Sequence, residues 1–219
     1  MLRMLCFPVF IASVLSGQRP CETIFNATFN DDLTDAQKTA VTIMPHGSFQ
    51  IKTPEGCIGG GAAEVHGGVA KLWVFNNNDL SDTFQIRFRF QSSIKQNDVS
   101  FTSLVNNGCL MGKPSIVIEY RAISRSFRLM IRDDFKSEIL NCQHKTVSPW
   151  GFQDVSLEYQ NGRVVLRADR EVCAEAEGFI GRPALTPCPL SVGGISRNSS
   201  ENFWGYLDEL LIRRWCVHA

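Results

Sequence analysis

Apolar and polar residues alternate along much of this chain, most regularly between residues 83 and 90. Successive side chains of a β-strand point to opposite faces of its sheet. The segment is therefore predicted to be a strand with a buried aromatic face and a solvated polar face. The apolar positions are Phe84, Ile86, Phe88 and Phe90, and the polar positions between them are Gln85, Arg87 and Arg89.

The same alternation predicts strands over residues 69–75, 115–120, 126–132 and 136–142. A hairpin is predicted where residues 154–159 and 164–168 flank Asn161-Gly162, because a type I′ turn needs positive φ at both central residues. Many short strands with turn residues between them, and no long helical period, indicate an all-β fold built as a two-sheet antiparallel sandwich.

The last predicted strand spans residues 206–215, and neither of its faces is cleanly apolar. This composition suits a long strand whose two ends meet different neighbours. Gly205 permits a bulge or a close approach at the start of the strand. Strict alternation puts Tyr206, Asp208, Leu210, Ile212 and Arg214 on one face and Leu207, Glu209, Leu211, Arg213 and Trp215 on the other.

The first 17 residues are predicted to be a secretory signal peptide. Arg3 supplies a positive charge, an apolar stretch runs from Leu5 to Leu15, and the small residues Ser16 and Gly17 follow. The apolar stretch is shorter than the roughly 20 residues that span a bilayer. Residues 18–219 are then expected to form a single secreted domain, since one all-β domain can reach this length.

Charge and cysteine content narrow the class of protein further. The chain has 22 basic and 22 acidic residues, so it lacks the field that steers nucleic acids or anionic membranes, and neither is an expected partner. Eight cysteines suit an oxidising compartment. Without Cys6 of the signal peptide seven remain, so at least one thiol is free or links to another chain. The sequons at Asn26 and Asn198 predict N-glycosylation.

Catalysis is not expected. A retaining glycosidase needs two carboxyl groups about 5 Å apart, and adjacent carboxylates on a strand point to opposite faces. No nucleophile motif or phosphate-binding loop occurs. Asp208 is expected to accept hydrogen bonds from backbone N–H groups of a neighbouring turn. The carboxylate pairs considered are Asp133-Asp134, Asp208-Glu209, and Glu175 with Glu177 on a predicted surface turn.

Two other kinds of site have candidates. Asp79 and Asp98 lie in Asn- and Asp-rich loops that offer oxygen ligands for Ca²⁺, the one cofactor considered, although such residues are also ordinary turn formers. Most tryptophans are expected in the core, with Trp204 the weakest case. A basic stripe on one sheet face would suit a polyanion or carbonate mineral, the alternative being a solvated outer face; its members are Arg87, Arg89, Arg121, Arg125, Arg128 and Arg132.

The end of the chain resembles the closing strand of laminin G-like domains: Phe203, Gly205, then Leu-Asp-Glu-Leu-Leu-Ile and Cys216. A Gly59-Gly60-Gly61 segment and the 152–162 hairpin are similar to the same family, although its usual tryptophan stands two residues early, at Trp150. The resemblance covers nearly all of the mature chain. It implies a two-sheet jelly roll of the concanavalin A type, found in secreted adhesion and matrix proteins.

Within that family the chain looks like the laminin G-like region of molluscan Pif-type shell matrix proteins, through residues 105–109, Cys142 and the run from Cys188 to Gly194. The resemblance then implies a stand-alone relative without their von Willebrand A and chitin-binding modules, so chitin binding is not simply carried over from them. Disulfides Cys109–Cys142 and Cys188–Cys216 are expected, then Cys21–Cys57. Cys173 would be left over, as a buried thiol or an intermolecular link, and connectivity stays open at this stage.

The sequence thus predicts a secreted, non-catalytic extracellular matrix protein, a component of the organic matrix of a shell. Its expected partners are a matrix polysaccharide or protein, with chitin or carbonate mineral as candidates, and a disulfide-linked oligomer is an option. The alternative is a lectin-like or adhesion module that binds a glycan or receptor, with or without calcium.

Overall fold

The computed structural model describes residues 21–30, 43–54, 57, 59–72, 80–93, 100–109, 111–143, 151–195 and 202–215. These residues form thirteen strands and no helix. The strands are β1 Glu22–Ala27, β2 Ile43–Lys52, β3 Ala62–Leu72, β4 Thr83–Ser92, β5 Thr102–Asn106, β6 Ile116–Arg121, β7 Ser126–Arg132, β8 Ser137–Gln143, β9 Gln153–Gln160, β10 Arg163–Ala168, β11 Glu171–Ala176, β12 Leu190–Val192 and β13 Trp204–Arg214. All strand pairs are antiparallel.

The strands form two layers that are joined by shared long strands. The first layer has the order β11-β10-β9-β4-β13, with β1 also paired to β13, and the second has the order β12-β5-β6-β7-β8. β3 connects them because its first half pairs with β13 and its second half, Ala70–Leu72, pairs with β12. This arrangement confirms the predicted all-β, two-sheet antiparallel sandwich.

The core lies between the two layers. The four apolar side chains of β4 are buried, as the alternation predicted. The ring of Phe90 lies 4.9 Å from that of Tyr120 on β6 and 5.9 Å from that of Phe127 on β7, measured between centroids. The inner face of β4 therefore packs directly on the inner faces of β6 and β7, and the outer faces of the two layers point in opposite directions.

The predicted hairpin between β9 and β10 is confirmed. Asn161 and Gly162 have φ values of 49° and 82°, the positive pair that a type I′ turn requires. The backbone N–H of Phe179 donates to the carbonyl oxygen of Gly162 at 3.1 Å. A side chain at position 162 would collide with the carbonyl of Phe179, so this turn needs glycine for both its conformation and its packing.

β13 departs from strict alternation. Its register with β4 shifts between Asp208 and Leu211, and Glu209 has a φ of 51°. This bulge turns Leu210 and Ile212 to the core beside Leu207. The prediction that Leu210 and Ile212 share a face with Tyr206 and Asp208 is therefore wrong. The predicted pairing of a long strand with different neighbours at its two ends is confirmed, since β3 contacts the first half and β1 the second.

The disulfide pairing differs from the expected one. Cys109 is bonded to Cys188 and Cys142 to Cys173, so the Cys109–Cys142 and Cys188–Cys216 predictions are wrong. The order of the strands in the sheet explains both bonds. Cys109 follows β5 and Cys188 precedes its neighbour β12, whereas Cys142 on β8 meets Cys173 on β11, the two strands at opposite ends of the hydrogen-bonded path.

The expected Cys21–Cys57 bond is also wrong. Cys21 is disulfide-bonded, and Cys57 is a partly buried free thiol. Cys57, rather than Cys173, is thus the free cysteine of the part of the chain described above. The expectations for the signal peptide, Asn198, Cys216, Asp79, Asp98, Trp73 and Trp150 fall outside the described residues. Within the described ranges there is no helix long and apolar enough to cross a membrane.

Candidate functional site

The outward side of the first layer carries a continuous set of polar and aromatic side chains, which we call the polar face. Alternate residues of β4, β9, β10 and β13 and of the first half of β3 point to this side, because their neighbours in sequence are buried in the core. Its members are Glu64, His66, Arg87, Arg89, Asp154, Glu158, Arg167, Trp204, Tyr206 and Asp208.

One end of the polar face, the aromatic end, is built from two cross-strand pairs of β3 and β13. Trp204 lies opposite His66, and Tyr206 lies opposite Glu64. The indole of Trp204 stacks on the imidazole of His66 with a centroid distance of 5.4 Å and an interplanar angle of 16°. The side chain of Trp204 is large and apolar, yet the residue is 43% exposed. The pair therefore presents a flat, rigid ring surface to solvent.

Polar groups border this ring surface. The Tyr206 hydroxyl donates a hydrogen bond to Oε1 of Glu64 at 3.2 Å, and Nε2 of His66 lies 3.3 Å from the same oxygen. Burial and the adjacent Glu64 carboxylate raise the pKa of the Tyr206 phenol above 10.0. Tyr206 consequently stays protonated at neutral pH and remains a hydrogen-bond donor.

The backbone supports the platform from below. Gly67 has a φ of 67°, and a Cβ atom at this position would lie 3.5 Å from Nε1 of Trp204. The Asn202 amide donates to the Gly67 carbonyl oxygen at 2.7 Å and accepts from the Ile195 N–H at 2.8 Å. These bonds hold the start of β13 against β3, so the indole is fixed by its own strand and by the neighbouring loop.

Arginines and carboxylates line the centre of the polar face. Arg87 forms an ion pair with Asp154 across the strands at 3.1 Å, and Arg89 pairs with Asp208 at 3.3 Å. Asp208 is completely buried. It accepts from the Arg89 guanidinium, and acceptance from backbone N–H groups stays a prediction. Because each carboxylate is matched by a cation, this region carries no large net charge. Arg87 and Asp154 are partly exposed and offer a fixed donor and a fixed acceptor, whereas the Arg89–Asp208 pair is covered and supports the face from below.

Two depressions adjoin Arg87. The first, about 240 Å³, is lined by Gln85, Arg87, Asp154, Ser156, Glu158, Arg167 and Arg170 with Val155. The second, about 320 Å³, is lined by Thr23, Asn26, Thr28, Arg87, Glu209, Leu211 and Arg213. Arg87 belongs to both, so the two depressions follow one another across the face.

The predicted basic stripe is not a single surface. Arg87 and Arg89 lie on the polar face, whereas Arg128 and Arg132 lie on the outer side of the second layer, because β4 and β7 pack with their inner faces together. Most of these cations are also bound locally: Arg128 pairs with Glu119 and lies 4.4 Å from the centre of the Phe101 ring. Arg132 donates to the carbonyls of Pro114 and Lys113, while Arg121 joins Arg128 over Phe101.

The carboxylates weighed for catalysis have structural partners. Glu175 lies on β11, not on a turn, and pairs with Arg163 at 2.8 Å, as does Glu177 at 3.4 Å. Asp133 is buried and accepts from three backbone N–H groups, of Phe135, Lys136 and Ile180. Among the described residues, no group of three or more His, Cys, Asp or Glu side chains could hold a metal ion.

Sequence reasoning named Trp204 and did not find its partners. The signal for them was present, since Glu64 and His66 alternate with the buried Ala63 and Val65. Only the register of β3 with β13 shows that His66 and Trp204 are neighbours.

Comparison with known proteins places the fold. No known family model matches the chain, and no curated protein matches it in sequence. Among solved structures, domain 4 of an extracellular arabinanase from Geobacillus stearothermophilus, in complex with arabinotriose, is similar with a TM-score of 0.59 and 12% identity over 89% of this chain and 93% of that one.

Two further structures are similar. The botulinum neurotoxin serotype D binding domain has a TM-score of 0.64 and 15% identity over 87% of this chain, which spans 47% of the toxin domain. Mouse laminin α1 domains LG4-5 have a TM-score of 0.50 and 16% identity over 63% of this chain and 36% of that one. The chain therefore has the jelly-roll fold that laminin G-like domains and several binding domains share.

Proposed function

We propose that this protein is a secreted, non-catalytic binding module that holds a carbohydrate chain on the polar face. The observation that carries the proposal is the exposed Trp204 ring stacked on His66, with the Glu64 and Tyr206 polar groups beside it. The stacked indole and imidazole form one contiguous exposed ring surface bordered by polar groups, and a contiguous exposed surface of this kind is a common feature of binding sites.

The chemistry of the site suits a sugar. A sugar ring has C–H faces that stack on an aromatic ring and hydroxyl groups around its rim. Trp204 supplies the flat surface with an indole N–H, and the Glu64 carboxylate accepts hydrogen bonds from hydroxyls. Arg87 and Asp154 extend the supply of donors and acceptors along the face. A few placed polar groups around an apolar surface are the usual composition of a small-ligand site.

Two of the similar solved structures support the proposal of a binding module. The arabinanase domain was solved with arabinotriose, and the toxin structures are binding domains. The Cys109–Cys188 and Cys142–Cys173 bonds support secretion, because disulfides persist in oxidising compartments. The absence of catalysis stays a prediction; the pairing of Glu175 and Glu177 with one arginine supports it.

The test is binding of the purified, oxidised protein to soluble polysaccharides, measured by affinity electrophoresis and by calorimetry with oligosaccharides such as arabinotriose and chitotriose. Trp204→Ala is expected to weaken binding at least tenfold, which corresponds to about 1.4 kcal/mol. Phe135→Ala is the matched control, because Phe135 is 79% exposed in the turn between β7 and β8. Equal binding by the two variants would refute the aromatic end as the site.

A role in the organic matrix of a shell is the narrower alternative, and its support is the sequence resemblance described above. Retention on chitin or calcium carbonate, undiminished by EDTA, is its expected result. Retention on glycan beads alone, abolished by EDTA, would instead make the protein a calcium-dependent lectin and would point to the loops of Asp79 and Asp98. The free thiol of Cys57 makes a disulfide-linked dimer a further prediction, checked on non-reducing gels.

A further inference from the structure

The sequon at Asn26-Ala27-Thr28 begins on β1, and its two functional residues both line the second depression of the polar face. Ala27 between them is buried in the core, so Asn26 and Thr28 project to the same outward side. The modification signal thus supplies two of the seven residues that line the depression.

The strand register places Asn26 in line with the centre of the face. Asn26 pairs with Leu211 on β13, and Leu211 pairs with Arg87 on β4. Neighbouring strands lie about 4.8 Å apart, so Asn26 and Arg87 are separated by about 10 Å across the sheet. A sugar attached to Asn26 begins at one wall of the depression and needs only one or two units to reach the other.

The depression contains groups that bind sugars. Arg213 lines the depression. It belongs to none of the ion pairs between residues that the structure describes, so its guanidinium can donate to hydroxyl or acetamide oxygens. Glu209 adds a carboxylate acceptor, and Leu211 adds an apolar floor between them. The bulge at Glu209 is what turns Leu211 and Arg213 outward toward Asn26.

We propose that Asn26 carries an N-glycan whose first sugars occupy this depression within the same molecule, and that the glycan closes this end of the polar face to external ligands. The proposal rests on the proposed function only for its effect on ligands. In the transfer, Nδ2 of Asn26 loses a proton and bonds to C1 of the first sugar. The bond from C1 to the diphosphate of a lipid-linked oligosaccharide breaks, and the lipid diphosphate leaves.

The two ends of the face are far enough apart to be independent. Trp204 and Leu211 are seven residues apart on β13, or about 20 Å along the sheet, because the bulge takes up one residue of the strand. A short oligosaccharide at the aromatic end would not reach the glycan. A long chain running from Trp204 toward Arg87 and beyond would meet it. The glycan therefore limits the length of chain that the face accepts.

A chemical footprint tests the occupancy without any external ligand. The protein is made in secretory animal cells, and arginine modification by a dicarbonyl reagent is followed by peptide mass spectrometry in wild type and Asn26→Gln. Arg213 is expected to react severalfold more slowly when Asn26 is glycosylated. Arg170 is the internal control, because it is exposed and lines only the first depression, so its rate should not change.

Asn198→Gln, which removes the other sequon, should leave the Arg213 rate at its wild-type value, and Thr28→Ala should reproduce the effect of Asn26→Gln. The proposal is overturned if the Asn26 peptide carries no glycan, or if Arg213 reacts equally fast in wild type and Asn26→Gln.

A second experiment compares the binding of arabinotriose with that of arabinan. Removal of the glycan should strengthen the binding of the polymer severalfold and leave the affinity for the trisaccharide unchanged. If Trp204→Ala binds both arabinotriose and arabinan as tightly as wild type does, the proposed function is refuted, and the footprint result still stands.

Discussion

The bond between Cys142 and Cys173 joins the two strands at the opposite ends of the hydrogen-bonded path, β8 and β11. No backbone ladder links these two strands among the pairs of the described residues, so the bond holds together two otherwise unpaired edges. Replacing both cysteines by serine removes this cross-link without changing side-chain size much. We expect a large loss of stability, together with self-association through the released edges.

The size of the loss follows from the loop that the bond closes. Cys142 and Cys173 are 31 residues apart. In the chain-entropy account a loop of this length is worth about 3.7 kcal/mol, because the cross-link restricts the unfolded chain. A domain of this size loses about 2 to 4 °C in Tm per kcal/mol, so Tm should fall by about 7 to 15 °C. The Cys109–Cys188 bond, with a separation of 79, should be worth about 4.5 kcal/mol by the same account.

Thermal and urea unfolding of the Cys142→Ser/Cys173→Ser double variant, followed by circular dichroism, measures this loss. Cys57→Ser is the matched control, because Cys57 is a free thiol and its replacement should change stability by less than about 0.5 kcal/mol. Peptide mapping of the unreduced wild type checks the connectivity itself. A stability loss equal to that of the control, or a map that bonds Cys142 to Cys109, would refute the reasoning.

Three further perturbations test buried contacts, each read from urea midpoints. Asp133 is 2% exposed. Burial raises the pKa of its carboxyl, but three backbone N–H donors outweigh burial and lower that pKa below 3.8. The stability that these hydrogen bonds contribute is therefore present at neutral pH and is lost as the pH falls through the folded-state pKa. Asp133→Asn should cost about 2 kcal/mol at pH 7 and flatten the acid decline below about pH 4; an unchanged acid profile would contradict this. Gly162→Ala should cost about 2 kcal/mol, because the new Cβ meets the Phe179 carbonyl at positive φ. Asp208→Ala should cost about 3 kcal/mol by removing the carboxylate that faces the largely buried Arg89, and a loss under about 1 kcal/mol would show that water replaces that carboxylate.

Local alternation was sufficient for most of the strands. β4, β7 and the β9–β10 hairpin lie within a residue or two of the predicted ranges, because the inner positions of those ranges are apolar and, apart from Ala168, large. β2 was not predicted, since its sequence, IMPHGSFQIK, contains proline and glycine and lacks a regular period. Its strand form depends on the ten-residue partnership with β3, which is information that a local pattern does not contain.

The predictions of the disulfide pairs and of the arginine stripe are wrong for a common reason. Alternation shows that a side chain points outward, and it does not show from which layer. Arg87 and Arg128 are both outward-facing, yet their strands belong to different layers. In the same way, spacing along the chain does not identify a cysteine's partner, because the expected Cys109–Cys142 spacing is about the same as the observed Cys142–Cys173 separation of 31 residues.

The bulge in β13 decides what the polar face can be. Under strict alternation Leu210 and Ile212 would follow Tyr206 and Asp208 outward, and an apolar strip would separate the aromatic end from Arg87. The extra residue at Glu209 reverses the later half of the strand, so that Leu211 and Arg213 face outward in its place. The core gains two large apolar side chains and the face gains a cation beside Asn26. One irregular residue thus allows a strand that has no cleanly apolar face to pack against the core. The same residue creates the second depression, in which the Asn26 glycan is proposed to lie.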